Sequence, residues 1–229
     1  MPAVRRVVRL LALVATSVVL PASAQEGAPP FTIAQLQYEG GGDWYANPSA
    51  LPNLLAAIRD RTGIPVALGS RVDIRLTDPR LRDFPYIYLT GHGNISLTDR
   101  EALILREYLL KGGFLHADDN YGLDKSFRRE MERVFPDKEM VELPPDHALY
   151  HMFYDLPMGL PKIHKHEGKA PQGFGIFDRG RLLVFYSYES DLGDGWEDPA
   201  VHRDPPEIRE SAFQMGVNLF LYVLSQQVP

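Results

Sequence analysis

Apolar positions along the chain form two patterns that follow one another. Short runs of continuous or alternating apolar residues, rich in β-branched and aromatic types, predict strands. These runs cover residues 31–38, 72–76, 86–90, 113–116, 139–143, 174–177 and 182–188. Apolar residues at helical spacing predict amphipathic helices around residues 51–58, 102–109, 127–134 and 208–222. This order favours a three-layer α/β domain with a mostly parallel central sheet.

Local signals predict where several of these elements begin and end. Thr98 and Glu101 have the spacing of a capping box, which starts a helix. Gly63 is expected to end the first helix, and Asp124 to cap the third. Residues 178–181 read Asp-Arg-Gly-Arg between the last two strands and indicate a hairpin. The sheet is therefore expected to contain an antiparallel part.

The first residues have the three parts of a secretory signal. Arg5, Arg6 and Arg9 precede an uncharged run at residues 10–20, and a small-residue Ala-Ser-Ala pattern follows at residues 22–24. Cleavage is predicted after residue 24. The alternative is a retained membrane anchor, but a run of 11 residues is shorter than the ~18 that a spanning helix needs.

Residues 25–229 are expected to form one domain outside the cytoplasm, with no stable membrane span.

The composition of the chain excludes several classes of function. The 229-residue chain holds 24 basic and 30 acidic residues, and loss of the three arginines takes the formal charge from −6 to −9. An acidic protein is a poor partner for nucleic acid. The absence of cysteine excludes disulfides, thiolate metal sites and a cysteine nucleophile.

Four predicted strands are each followed by a loop rich in glycine, carboxylates and aromatic residues. Loops at the carboxyl ends of parallel strands meet at one edge of the sheet, where ligands bind. We therefore predict a cleft for a small polar or carbohydrate-like ligand, in which Trp196, Trp44 and Tyr121 stack on its rings. The candidate ligand-binding residues are Gly41, Asp43, Trp44, Tyr45, Asn94, Asn120, Tyr121, Glu189, Asp191, Asp194 and Trp196. The alternative is that these residue types only form turns.

Several long stretches resemble a known bacterial family, domain of unknown function 4159. They read QLQYEGGGDWYANP, YLTGHGNISLT, GGFLHADDNYG, DKSFRREM, FPDK, PQGFGIF and YESDLGDGWEDP. That family is similar in fold to class I glutamine amidotransferase-like and trehalose-utilisation-like proteins, which implies a flavodoxin-like sheet in the order 2-1-3-4-5. Amidotransferases carry a cysteine in a GxCxG elbow, where residues 115–119 here read Leu-His-Ala-Asp-Asp. Glutaminase chemistry is therefore excluded.

Asp118 and Asp119 occupy the place of that elbow. A sharp turn there would hold a carboxylate near backbone N–H groups, as a nucleophile, a general base or a metal ligand. In the implied sheet order, His92 and His116 end adjacent strands, so we add them to the catalytic candidates. His92, His116 and Asp118 together would suit zinc or manganese, or a general acid and base pair, so the sequence assigns no cofactor and leaves a divalent metal as the candidate. The alternatives are a helix cap for the aspartates and structural roles for the histidines.

Two further histidine pairs are weaker metal candidates. His164 and His166 lie two apart with Glu167 beside them, but the lysines around them favour a solvated loop. His147 and His151 are four apart, without the glutamate of an HExxH motif, so a structural role is favoured there.

Two functions of different class remain. The first is an extracytoplasmic, hydrolase-like enzyme that uses aspartate and histidine at the strand ends. The second is a binding module that has lost its nucleophile and recognises a glycan, another envelope component or a partner protein.

Overall fold

A seven-stranded sheet forms the centre of the computed structural model, which describes residues 30–165 and 168–226. Its strands are β1 (Ile33–Gln37), β2 (Val72–Arg75), β3 (Tyr86–Leu89), β4 (Phe114–Asp118), β5 (Val141–Glu142), β6 (Gln172–Asp178) and β7 (Arg181–Tyr188). Their order is β2-β1-β3-β4-β7-β6-β5. Strands β2, β1, β3, β4 and β7 pair in parallel. At the end of the sheet, β6 pairs antiparallel with β7, and β5 pairs antiparallel with β6. The predicted signal peptide, residues 1–24, lies outside the described residues.

Helices pack on both faces of this sheet. They are α1 (Ala50–Thr62), α2 (Asp99–Leu110), α3 (Asp124–Val134), α4 (Leu192–Trp196), α5 (Pro199–His202) and α6 (Pro206–Ser225). Apolar side chains of α2 and α3 form one core with the sheet, and those of α1, α4 and α6 form a second core. The arrangement is compatible with the expected three-layer α/β domain. None of the helices described is both long enough and apolar enough to span a membrane.

The central strand β4 shows how side chains divide between the two cores. Leu115 and Ala117 belong to the core under α2 and α3, whereas Phe114 belongs to the core under α1 and α6. Side chains alternate along a strand, so His116 and Asp118 lie on the same face as Phe114. Both are fully buried. The strand's polar residues therefore face the interior of the protein.

The capping box at Thr98 and the left-handed Gly63 at the end of α1 are present as predicted. The prediction for Asp124 is wrong, because it is the first residue of α3 and Leu123 is the N-cap, without a side-chain cap bond. The Asp124 carboxylate instead accepts hydrogen bonds from Arg128 Nε at 2.6 Å and from the Tyr186 hydroxyl at 3.1 Å. Asp124 thus connects α3 to β7.

Candidate functional site

The loops after β1, β3, β4 and β7 lie together at the carboxyl edge of the parallel strands. Hydrogen bonds join neighbouring loops: Gly42 N to Asn94 O at 2.9 Å, Gly93 N to Tyr121 O at 3.1 Å, and Glu189 N to the Asp119 carboxylate at 3.2 Å. Gly42 allows this close approach, because a Cβ there would lie 2.8 Å from His92 O. The four loops therefore form one continuous surface.

Asp43 and His92 form a carboxylate–imidazole pair on this surface. Asp43 Oδ2 lies 3.0 Å from His92 Nδ1, and Oδ1 accepts a hydrogen bond from the His92 backbone N–H. The His92 side chain is 54% exposed. Because the carboxylate accepts from Nδ1–H, it selects the tautomer whose Nε2 carries a lone pair. In the described part of the chain, Nε2 has no hydrogen-bond partner, so it is available to accept a proton.

A polar cavity of about 250 Å³ lies beside this pair. It is lined by Asp119, Tyr121, Gly122, Asp124, Lys125, Lys169, Tyr188 and Glu189. Gly122 packs against the residue after His92, since a Cβ on Gly122 would lie 3.6 Å from Gly93 N. Cavities of about 340 and 590 Å³ lie against α3 and α2. The 250 Å³ cavity is connected to the loop of His92 through Gly122, but its lining contains neither Asp43 nor His92.

Asp118 is fully buried and accepts four hydrogen bonds. The donors are the Ser187 hydroxyl at 2.5 Å, Gly193 N at 2.7 Å, the Tyr88 hydroxyl at 3.0 Å and Leu192 N at 3.2 Å. Burial raises the pKa of Asp118, and the hydrogen bonds oppose that rise. Asp118 thus joins β4 to β3, to β7 and to the start of α4.

His116 is also buried, within a chain of hydrogen bonds. Ser187 donates to Asp118, so its oxygen accepts from His116 Nε2–H at 2.9 Å, and the Tyr86 hydroxyl donates to Nδ1 at 3.2 Å. Burial lowers the pKa of His116 to about 3, which keeps the ring neutral. The expected metal site is not formed among the described residues, because His92 pairs on the surface while His116 and Asp118 lie inside.

We expect His116 to make the protein sensitive to acid. Its pKa is lowered from 6.5 to about 3 in the folded protein, so the unfolded chain binds the proton more strongly between these values. Stability is therefore full above pH 6.5 and falls as the pH drops towards 3. Between pH 6.5 and 5, the free energy of unfolding of the wild type should fall by about 2 kcal/mol relative to His116→Gln. Urea titrations across this range measure the difference, and parallel pH profiles would contradict the prediction.

The aromatic candidates do not form the expected trio. Trp196 is fully buried and its Nε1 donates to Ala212 O at 2.8 Å, so the prediction that it stacks on a ligand is wrong. Trp44 is partly buried against the core. Tyr45 and Tyr121 are the exposed aromatic residues of the edge, at 61% and 59%. These two tyrosines are therefore the aromatic residues of this edge that are exposed enough to contact a ligand.

Most of the other candidates hold the loops in place. Asn94 Nδ2 donates to the carbonyl oxygen of Gly40 at 3.1 Å, and buried Asn120 accepts from the Thr90 hydroxyl at 3.0 Å. The Glu189 carboxylate lies 2.6 Å from Lys162 Nζ. Positive φ values, a mark of strain outside glycine, occur at Glu189 and Asp191 and at neither Asp118 nor Asp119. The strained turn therefore follows β7 instead of β4. The candidate Gly41 borders open space, because a Cβ there would meet no atom within 4 Å.

Two histidines and four carboxylates form a second group of titratable residues, which we call the acid–imidazole cluster. Its members are Asp191, Asp194, Glu197, Asp204, His164 and His202. His164 Nδ1 lies 2.8 Å from Asp194 Oδ2, and Nε2 lies 2.8 Å from Asp204 Oδ1. The hydrogen bond to Asp194 is the main cause that raises the pKa of His164 to about 9. Burial, together with nearby carboxylates, raises the pKa of Asp191 to about 9.

Comparison with protein families identifies the chain. The model of one family, Domain of unknown function (DUF4159), matches residues 32–224. The protein belongs to the DUF4159 family. A search of curated proteins found no match. The matched region of this DUF4159 protein contains all seven strands, the Asp43–His92 pair and the acid–imidazole cluster.

The sequence of the DUF4159 protein points to Asp191 and Asp194 in this cluster, and to His164 as a weaker candidate. The lysines around His164 predict a solvated loop, yet Lys162 pairs with Glu189 and leaves the imidazole to the carboxylates. For His202 and Asp204 the sequence signal is their position, 8 and 10 residues after Asp194. His166 and Glu167 lie outside the described residues.

Proposed function

We propose that this DUF4159 protein is an extracytoplasmic, hydrolase-like enzyme in which His92 performs acid–base chemistry on a carbohydrate-like or other polar substrate. The observation that carries the proposal is the Asp43–His92 pair at the carboxyl edge of the parallel strands. The predicted secretory signal at residues 1–24 supports the extracytoplasmic location. The strand order β2-β1-β3-β4-β7 supports a flavodoxin-like, amidotransferase-like architecture, with β7 in fifth place.

The chemistry uses the lone pair of His92 Nε2. A water molecule gives its proton to Nε2 as its oxygen attacks the substrate, and the imidazolium then gives that proton to the leaving group. Asp43 keeps the ring in the required tautomer and stabilises the imidazolium. One substrate bond is cleaved, the elements of water are added across it, and His92 returns to its neutral form.

The adjoining cavity supports a polar substrate. Lys125 and Lys169 bring positive charge to its lining, and Asp119 and Glu189 bring carboxylates. Such a lining offers both donors and acceptors to hydroxyl groups. Tyr121 offers an exposed ring on which a sugar can stack.

A substrate screen tests this proposal. The mature chain, residues 25–229, and its Asp43→Asn variant are assayed against p-nitrophenyl glycosides, esters and phosphates. We expect the wild type to hydrolyse at least one compound, and the variant to be slower by about 10²-fold or more, because the amide can also donate to Nδ1 and no longer selects the tautomer with a lone pair on Nε2. No turnover of any compound by the wild type would contradict the enzyme proposal.

A non-catalytic binding module is the second candidate. It is favoured by Asp118, which takes the place of the nucleophile and is occupied by four hydrogen-bond donors. On this alternative, the cavity recognises an envelope glycan or partner without cleaving it. Sugars that raise the melting temperature of the wild type but not of Tyr121→Ala, without any turnover, would support the module.

A further inference from the structure

We infer that the acid–imidazole cluster is a binding site for a divalent cation of the zinc type, separate from the Asp43–His92 pair. The proposed ligands are His164, Asp194 and His202, each of which offers one ligand atom. Imidazole and carboxylate together suit zinc among the common divalent metals. Three protein ligands leave one position of a tetrahedral zinc site for a water molecule.

The distances within the cluster fit such an ion. One ligand atom each from His164, Asp194 and His202 lies within 4.8 Å of the others. His202 Nε2 lies 3.7 Å from Asp194 Oδ1, which is longer than an ordinary hydrogen bond. His164 Nδ1 lies 2.8 Å from Asp194 Oδ2, so these two atoms would move apart by about 0.5–0.8 Å around an ion. A tetrahedral zinc ion with bonds of 2.0–2.2 Å separates its ligand atoms by about 3.3–3.6 Å.

The loop after β1 orients the two carboxylates. Asn47 Nδ2 donates to Asp194 Oδ1 at 2.7 Å. Ser49 donates to Glu197 Oε1 from its backbone N–H at 3.1 Å and from its hydroxyl at 3.0 Å. Asp194 is thus held through one oxygen and keeps the other for a metal. Outer hydrogen bonds of this kind are the usual support of metal ligands.

Asp204 supports the imidazole of His164 in the same way. Its Oδ1 accepts from His164 Nε2–H at 2.8 Å, so a metal at Nδ1 would replace the proton that Nδ1 shares with Asp194 Oδ2. The Asp204 side chain is only 10% exposed, and in the described parts of the chain its buried Oδ2 has no hydrogen-bond partner. A carboxylate, an imidazole and a metal in this order form a recurrent arrangement in zinc proteins.

The charges also call for a cation. Across residues 30–165 and 168–226, no lysine or arginine is ion-paired with the carboxylate of Asp194, Glu197 or Asp204. Their side chains are at most 10% exposed. Buried carboxylates need a compensating positive charge, and among the described residues only the imidazoles of His164 and His202 are ion-pair partners of these three. A divalent ion would supply that charge and fix the segment before β6 to α4 and α5.

Metal analysis of the untagged protein tests the inference. Bound metal is removed with EDTA, and the protein is then incubated with Zn²⁺ and dialysed. Its zinc content is measured by inductively coupled plasma mass spectrometry. We expect about one zinc per chain and a melting temperature raised by roughly 5–10 °C over the stripped protein. His202→Ala should lose both effects. His151→Ala, which removes a histidine outside the cluster, should keep both.

Asp194→Asn provides a second variant that does not depend on His202. The amide oxygen can still accept from Asn47, so the fold is expected to persist, as circular dichroism can verify. We expect this variant to lose stoichiometric zinc as well. Wild-type protein without stoichiometric zinc, or variants that keep it, would overturn the inference. Turnover by the EDTA-stripped protein would leave it intact, because the hydrolysis proposed above does not use this metal.

Discussion

The His92→Ala variant is expected to hydrolyse the best substrate of the wild type about 10²–10⁴-fold more slowly. The substitution removes the group that accepts and returns the proton. Because the side chain is 54% exposed, its loss leaves the two cores unchanged, and the melting temperature should stay close to that of the wild type. Rates with the chromogenic substrate, together with thermal unfolding followed by circular dichroism, measure both quantities.

His151→Ala is the matched control for this variant. His151 also pairs with a carboxylate, its Nδ1 lying 2.5 Å from Asp155, but it sits in the short 3₁₀ turn Ala148–His151 and not in a loop at the carboxyl edge. It should retain full turnover. Equal losses in both variants, or undiminished turnover in His92→Ala, would show that the surface pair does not perform the chemistry.

The Asp118→Ala variant is expected to be strongly destabilised. Removal of the carboxylate leaves four buried donors without their acceptor, and each such group costs about 1–3 kcal/mol. The substitution also removes the free-energy cost of burying the carboxylate, which offsets part of this loss. We therefore expect the free energy of unfolding to fall by roughly 2–5 kcal/mol. Urea unfolding followed by the fluorescence of buried Trp196 measures the change.

Two other variants place this result in context. Asp118→Asn should be destabilised less than Asp118→Ala, because its amide oxygen still accepts hydrogen bonds. Some loss should remain, because its NH₂ group cannot accept from Gly193 N–H. Asp99→Ala removes an exposed carboxylate and should unfold at the urea midpoint of the wild type. If Asp118→Ala unfolded at that midpoint and still lost turnover, Asp118 would be a catalytic residue and not a structural one.

Much of the fold follows from local sequence patterns. The parallel strands are short apolar runs, and α2 has both its capping box and its apolar stripe, so pattern and structure agree there. The helix α4 could not be predicted in this way. Gly193 and Gly195 lie inside it and favour turns by themselves. Burial of Leu192 and Trp196 in the core with α6 favours the helix, and that contact is not local.

The candidate site could be predicted only at the level of loops. The sequence indicated which loops meet at the carboxyl edge, but not which side chains in them are exposed. His116 and Asp118 belong to a strand that is covered on both faces, so their polar groups meet donors inside the protein. His92 meets Asp43 across 49 residues of chain. Pairings over such distances are set by strand order, which a single sequence does not specify residue by residue.

The most direct test of the central claim is a double-mutant cycle between Asp43→Asn and His92→Ala, measured as kcat/KM on the best substrate of the wild type. If the two residues act as one unit, their effects are not additive. We predict that the double variant is no slower than His92→Ala alone. Losses that multiply in the double variant would mean that the residues act independently, and would contradict a shared role for the Asp43–His92 pair.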